Sequence, residues 1–318
     1  MEIIQLSHPY KENEIFQEPI VLALGFFDGV HLGHQAVIRA AKQEAVKRGI
    51  KLAVMTFNQH PKIVYSKIDE ESMFYLSTNE RKAELLDGFG VDLLYLVEYT
   101  WDFGAQTPQA FVDRYIVDLN TKVVVAGFDY TYGKKDVANM LTLPDHAAGR
   151  FEILEVDQLS LNQHKIASTS IREYIENSQI DAANKELGYL YQTSGTVVHG
   201  EKRGGALLGY PTANVETNSK ELLPGIGVYI VEFYVSGQWY QGMASVGYNV
   251  TFGEHRPVTC EVYILDFDRM IYGEQVGVRW HHYLRGEIKF DGLEGLIKQL
   301  DQDLVDTQTY FSEMKEQA

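Results

Sequence analysis

The first half of the chain alternates short unbroken apolar runs with longer stretches of helical spacing. Ile20–Leu24, Leu52–Phe57, Leu93–Val97, Lys122–Gly127 and Phe151–Val156 have strand length and composition. Between the first two, Leu32 to Arg48 places Leu32, Ala36, Val37, Ala40 and Ala41 on one helical face, with Lys47, Arg48 and Gly49 as a stop. Ser77 and Glu80 have capping-box spacing ahead of a helix ending near Gly88, and Thr107-Pro108 opens a helix running to about Asp118. Helices between buried strands imply crossovers and a mostly parallel, Rossmann-like sheet of the α/β class.

After Gly188 the pattern changes to alternation with glycine and aromatics, and Tyr189–Thr193 reads as a linker. The chain therefore divides into residues 1–188 and 189–318. Thr196–His199, Val228–Tyr234, Gln238–Gly242, Cys260–Leu265 and Gln275–Tyr283 read as strands, with a hairpin at Ser236-Gly237. One helix, roughly Leu293 to Met314, follows. Short antiparallel strands with a single helix predict a small closed β-barrel.

Composition narrows the function classes. The chain has 318 residues, 45% of them hydrophobic and 12% aromatic, enough for two packed cores. A formal net charge of -16 argues against a nucleic-acid partner, which calls for clustered Lys and Arg. The start, MEIIQLSHPYKE, has no leader pattern, and no run reaches the ~20 apolar residues of a membrane span, so neither export nor membrane association is expected. Cys260 is the single cysteine, which excludes an intrachain disulfide and fits a cytoplasmic protein. Association into a homo-oligomer stays open.

The stretch Gly25 to Gln35, GFFDGVHLGHQ, follows the first of those strands and opens the helix after it. Free N–H groups and the positive end of a helix favour anions there, and glycines at 25, 29 and 33 let backbone approach a ligand. His31 and His34 add imidazoles to that turn, which points to chemistry on a phosphate; an ordinary tight turn with one histidine capping the helix is the alternative. Three more segments complete the set: Phe57-Asn58-Gln59-His60-Pro61, Gly127-Phe128-Asp129-Tyr130-Thr131-Tyr132-Gly133, and Ser168-Thr169-Ser170-Ile171-Arg172. The last suits a triphosphate, or is a serine-capped helix. His60 before proline reads by itself as structural, and the aromatic loop fits either a core or a flat ring.

The second half has two constellations of its own. Gly209-Tyr210-Pro211-Thr212-Ala213-Asn214 follows the flexible Gly200–Gly205 stretch. Thr212 and Asn214, two apart on a strand, face the same way and offer hard oxygen ligands suited to Mg2+. Glu261 stands on an otherwise apolar strand, as an exposed-face residue or as a poised base.

The ordered motifs GFFDGVHLGHQ, FNQHP, GFDYTYG and STSIR resemble the nucleotidyltransferase half of the bacterial bifunctional riboflavin kinase/FMN adenylyltransferase family, the prokaryotic FAD synthetases. GYPTAN, Glu261, LDFDRMIYG and HHYLRGEIKFDGLEG resemble its kinase half. The resemblance implies a nucleotidyltransferase-like domain followed by a riboflavin kinase barrel, with ATP as co-substrate and riboflavin, FMN and FAD as substrates and products. It implies that His31 and His34 contact the transferring phosphates, and that Gly25, Phe26, Asp28, Gly33, Ser168, Thr169 and Arg172 hold ATP. His60 and Asp129 then stand beside nucleotide and flavin. In the second half it makes Glu261 the base, Thr212 and Asn214 the Mg2+ positions, and Gly200 and Gly209 part of the loop over the nucleotide. The chain departs from the family pattern at Arg203–Gly209, one residue longer and lacking the basic residue usual in that loop, at Val250 and Gln59 in place of prolines, and at Ala167 in place of serine. These changes leave open a paralogue with one activity, or a silent flavin- or nucleotide-binding regulator.

Overall fold

The computed structural model describes residues 1–65, 73–161, 164–200, 209–248 and 258–317. Contacts divide the chain into two units, Met1–Ser168 and Thr169–Ala318.

In the first unit six parallel strands form one sheet: β1 (Glu2–Leu6), β2 (Ile20–Leu24), β3 (Lys51–Phe57), β4 (Leu93–Val97), β5 (Thr121–Gly127) and β6 (Glu152–Val156). Their order is β1-β4-β3-β2-β5-β6. Every residue of β2 is buried, as a central strand covered on both faces must be. Alternation sends Ile20, Leu22 and Leu24 to one face, with Phe103, Phe111 and Tyr115. Val21 and Ala23 go to the other, against Val37, Ile38 and Ala41 of α1 (Leu32–Arg48) and Leu86 of the helix Asn79–Gly88. The mixed, half-exposed β1 carries too little periodicity to announce itself and pairs at the edge with β4.

Helix starts obey local chemistry. α2 (Pro61–Tyr65) is a single short turn. α3 (Asn79–Gly88) is capped by Thr78, whose Oγ1 accepts from Arg81 N at 3.2 Å. The expected cap Ser77 lies one residue earlier and its hydroxyl is used elsewhere. α4 (Trp101–Gly104) and α5 (Pro108–Val112) follow, and the helix expected to reach Asp118 changes to a wider π-turn over Asp113–Val117. α6 (Leu143–Ala147) precedes β6, and a small hairpin, β7 (Ser160–Leu161) and β8 (His164–Lys165), precedes α7 (Ser168–Glu176).

The second unit is a closed antiparallel barrel of β9 (Gln192–Val198), β10 (Thr212–Thr217), β11 (Gly227–Val235), β12 (Gln238–Tyr248), β13 (Val258–Ile264) and β14 (Gln275–Arg285). Strand order around it is β10-β13-β12-β11-β14-β9. Gln192 and Thr193, read as linker from sequence, already pair in β9. Ser236 and Gly237, with φ of 51° and 85°, make the two-residue turn joining Val235 to Gln238. Register aligns Val197, Val215, Cys260 and Val246, all buried, into one layer of the barrel core. α8 (Ile180–Leu187) ties to β14 through Asn184, whose Nδ2 donates to Trp280 O at 2.9 Å.

α9 (Leu293–Gln317) is fastened to the barrel by charge: Arg285 grips Asp303 through Nε at 2.9 Å and Nη2 at 2.7 Å. Asp303 is only 2% exposed, so removing its guanidinium leaves a buried carboxylate without its cation. We predict that Arg285→Met costs about 3 kcal/mol, read as a fall of several degrees in the barrel's melting transition. An unchanged transition would show that Gln299, which also donates to Asp303 at 2.9 Å, suffices alone.

Candidate active sites

Strand order reverses between β2 and β5, and ligands on such sheets bind in the crevice beyond the carboxyl ends at that point. Gly25 leaves β2 there, its N–H donating to Met55 O at 3.3 Å. The backbone then turns left-handed at Phe27 (φ 53°), Gly29 (φ 73°) and Val30 (φ 35°). Glycine takes that conformation freely, while Phe27 and Val30 each cost roughly 1–2 kcal/mol. The neighbourhood supplies the restraint. Asp28 Oδ1 accepts from the N–H groups of Leu76 at 3.0 Å and Ser77 at 3.3 Å. Ser77 Oγ in turn accepts from Gly29 N at 3.1 Å, and Ser168 Oγ donates to Asp28 O at 3.1 Å.

His31 is the N-cap of α1, its Nδ1 accepting from His34 N at 3.3 Å, which leaves Nε2 as the protonated nitrogen. The two rings stack with centroids 3.6 Å apart and planes 16° from parallel. Gly33 allows this, since a Cβ there would stand 3.1 Å from His31 Cε1. Both rings are held neutral. Burial pushes His31 down to about 4, with Lys165 lowering it further and a backbone hydrogen bond and Asp129 opposing. Burial, then the proximity of His31 and Lys82, pushes His34 well below the ordinary histidine value. His34 Nδ1 is buried without a hydrogen-bond partner.

Other sequence-predicted residues gather at the same end. Phe26 packs edge-on against His60 at 5.0 Å, and its carbonyl accepts from Thr56 Oγ1 at 2.7 Å. His60 Nδ1 accepts from Lys62 N at 3.1 Å, and the backbone N–H of His60 donates to Tyr75 Oη at 3.1 Å. Asp129, just beyond β5, is paired with Lys165 at 2.7 Å. Thr169 and Arg172 lie on α7, exposed and half-buried respectively, in the part of that helix assigned to the second unit. Sequence reading passed over Thr56, Lys82 and Lys165, and gave Ser77 only a helix-capping role. Lys82 had a signal: it falls four before Leu86, on the buried stripe of α3. Lys165 had none, since the β7–β8 hairpin was not foreseen.

In the barrel, register places Asn214 opposite Glu261 and Glu261 opposite Ser245, with Thr212 opposite Tyr263. Because Val215, Cys260 and Val262 point to the core, this row faces outward, and Glu261 is half-buried there. Thr212 Oγ1 donates to Glu261 Oε2 at 3.2 Å. Gly200 stands where a Cβ would lie 2.1 Å from Asn214 Nδ2, so the amide packs on bare backbone. Gly209 is exposed with φ of 75°. The departures at Arg203–Leu208 and Val250, and Glu201 to Gly205 of the glycine-rich stretch, lie outside the described residues. The hydroxyl, amide and carboxylate oxygens are a hard donor set of the kind Mg2+ takes together with substrate phosphates. Among the described residues no group of three or more His, Cys, Asp or Glu forms a metal site by itself.

Two catalytic families match this chain in order: FAD synthetase over residues 13–170 and riboflavin kinase over residues 187–311. The chain belongs to the bifunctional riboflavin kinase/FMN adenylyltransferase family. The family's protein from Listeria monocytogenes is 48% identical over 99% of this chain and 100% of the relative. That from Bacillus subtilis is 39% identical, again over 99% and 100%. A crystal structure described as a macrolide-efflux protein from Streptococcus pneumoniae superposes with a TM-score of 0.88 at 36% identity, over 96% of this chain and 99% of that one. No helix among the described residues is long and apolar enough to cross a membrane.

The buried histidines make the first unit acid-sensitive. In the unfolded chain His31 takes up a proton near 6.5, but in the folded protein only near 4, so the unfolded state binds more protons between those values. Stability is therefore full above 6.5 and falls as pH drops toward 4, by about 2 kcal/mol at pH 5 for His31 alone. His31→Asn keeps a good cap without a titrating ring, and melting curves at neutral pH and pH ~5 should show a smaller acid loss than wild type. An equal loss would place the acid sensitivity elsewhere.

Proposed function

We propose that the chain makes FAD from riboflavin in two ATP-dependent steps, the first served by residues 189–318 and the second by residues 1–188. The reading is carried by the succession of an adenylyltransferase-type and a kinase-type family match on one chain, each spanning a cluster of suitable side chains.

In the first step the 5′-hydroxyl oxygen of riboflavin attacks the γ-phosphorus of ATP, Glu261 takes the hydroxyl proton, and ADP leaves. Thr212 and Asn214 would hold Mg2+, which would supply charge neutralisation on the phosphates, and Gly200 and Gly209 border the nucleotide. In the second step a phosphate oxygen of FMN attacks the α-phosphorus of ATP, and pyrophosphate leaves. The substrate is its own nucleophile, so the protein contributes alignment and charge stabilisation. Gly25, Phe26, Gly33, Ser168, Thr169 and Arg172 hold ATP, with Asp28 acting through the turn that it fastens. His31 and His34, neutral at pH 7, donate hydrogen bonds to the transferring phosphate. His60 and Asp129 border the flavin. The partners are small molecules in the cytoplasm, without nucleic acid or membrane.

Purified protein given riboflavin, ATP and Mg2+ should accumulate FMN and then FAD by chromatography. FMN converted to FAD while riboflavin persists would leave a single-activity enzyme, and no conversion of either flavin would leave a binding protein. His31→Asn should lower FAD formation by about 10²–10³ with FMN formation unchanged. Glu261→Gln should lower riboflavin phosphorylation by about 10²–10⁴ while supplied FMN is still adenylylated. Equal damage to both steps from either change, in folded protein, would contradict the division of labour.

A further inference from the structure

Among the described residues Lys82 is the buried lysine, 2% exposed on the inner face of α3. An ammonium has three donors, and this one makes a single hydrogen bond, to Thr56 Oγ1 at 3.3 Å. Its Nζ also lies over the face of the Phe26 ring, 4.5 Å from the centroid. The titratable groups that face it are Asp28 in the left-handed turn and His34 on α1. The Asp28 carboxylate already accepts the N–H groups of Leu76 and Ser77. A buried cation with so little compensation lowers stability, and folds tolerate such a violation where the charge serves a site.

We infer that Lys82 is a positioning residue for adenylyl transfer: its ammonium presents a fixed positive charge against the His31–His34 turn and, through Thr56, holds the Phe26 carbonyl where that turn begins. The inference rests on the adenylyl-transfer reading above. With both histidines neutral, the turn carries no side-chain cation of its own, while phosphoryl oxygens arriving there bring negative charge. A lysine buried behind the turn supplies the opposing charge with no reorganisation at the moment of transfer. Thr56 links it to the backbone in two bonds, Lys82 Nζ to Thr56 Oγ1 at 3.3 Å and Thr56 Oγ1 to Phe26 O at 2.7 Å. Burial pulls Lys82 down to about 8, with Asp28 opposing, so it is charged at pH 7 and loses its proton within the range of an enzyme assay.

The test uses the full chain with FMN, ATP and Mg2+, following FAD, with riboflavin phosphorylation measured in parallel. Lys82→Met keeps the length of the side chain and removes the charge. We expect kcat for FAD formation to fall about 10- to 100-fold, KM for ATP to change less than about 3-fold, and riboflavin phosphorylation to be unaffected. Its melting temperature should be equal to or above that of wild type, because a buried charge is replaced by an apolar chain. Lys82→Arg should recover part of the rate. The wild-type kcat for FAD formation should decline above pH ~8, and that decline should be missing from Lys82→Met. Wild-type turnover in Lys82→Met overturns the inference, as does a rate loss accompanied by a lower melting temperature and a KM rising in step, which is the mark of a structural role. Should Lys82→Met not fold, a wild-type kcat flat between pH ~7 and ~9.5 overturns it. Wild-type protein that leaves FMN unconverted overturns the adenylyl-transfer reading and this inference together, whereas an active wild type with an equally active Lys82→Met overturns this inference alone.

Discussion

The carboxylate of Asp28 holds the first unit's site in shape. A turn that takes Phe27 and Val30 into left-handed backbone is unfavourable by itself, and its local bond, Val30 N–H donating to Phe27 O at 3.1 Å, offsets only part of that. Asp28 reaches out of the turn to accept two N–H groups from residues 76 and 77, and Ser77 returns a hydroxyl to Gly29 N. Two segments nearly fifty residues apart are thereby locked at the carboxyl ends of the sheet. The placement of His31 at the head of α1, the ring stack with His34 and the approach of Lys82 to Phe26 all follow from that lock.

On the function proposed above, the two candidate sites face the same ligand, an ATP polyphosphate, with different side chains. At the parallel sheet the side chains nearest the turn are neutral imidazoles, and positive charge stands behind them on Lys82 and beside them on Lys165. On the barrel the row is Thr212, Asn214 and Glu261, oxygen ligands and a carboxylate set by strand register on an outward face. The first arrangement favours charge stabilisation of a transferred group that brings its own nucleophile. The second, on the function proposed above, suits a hydroxyl nucleophile, which has a proton to lose and for which a carboxylate beside oxygen ligands is the matching set.

Much of the fold was legible because its strands carry strong local patterns. Ile20–Leu24, Leu93–Val97 and the helix Leu32–Arg48 have the bounds that periodicity assigns them. Elements built on tertiary contact escaped: β1 is an edge strand with mixed polarity, and β7 and β8 are two residues each. The cap of α3 fell to Thr78 rather than Ser77 because Ser77 is engaged by Gly29, a bond across 48 residues that no local spacing encodes. The site divides in the same way. The motif residues His31, His34, Thr212 and Asn214 were readable from sequence order, whereas Lys82 and Thr56 became visible only when α3 and β3 were brought against the turn.

The most direct measurement of the account is amide hydrogen exchange at Gly29, Leu76 and Ser77 in wild type and Asp28→Ala, combined with the rate of FAD formation from FMN. If the lock is what makes the site, Asp28→Ala loses protection at all three amides and loses FAD formation with it, while riboflavin phosphorylation continues. Loss of FAD formation with the three amides still protected would make Asp28 a direct ligand, and full-rate FAD formation with protection gone would show that the turn needs no lock.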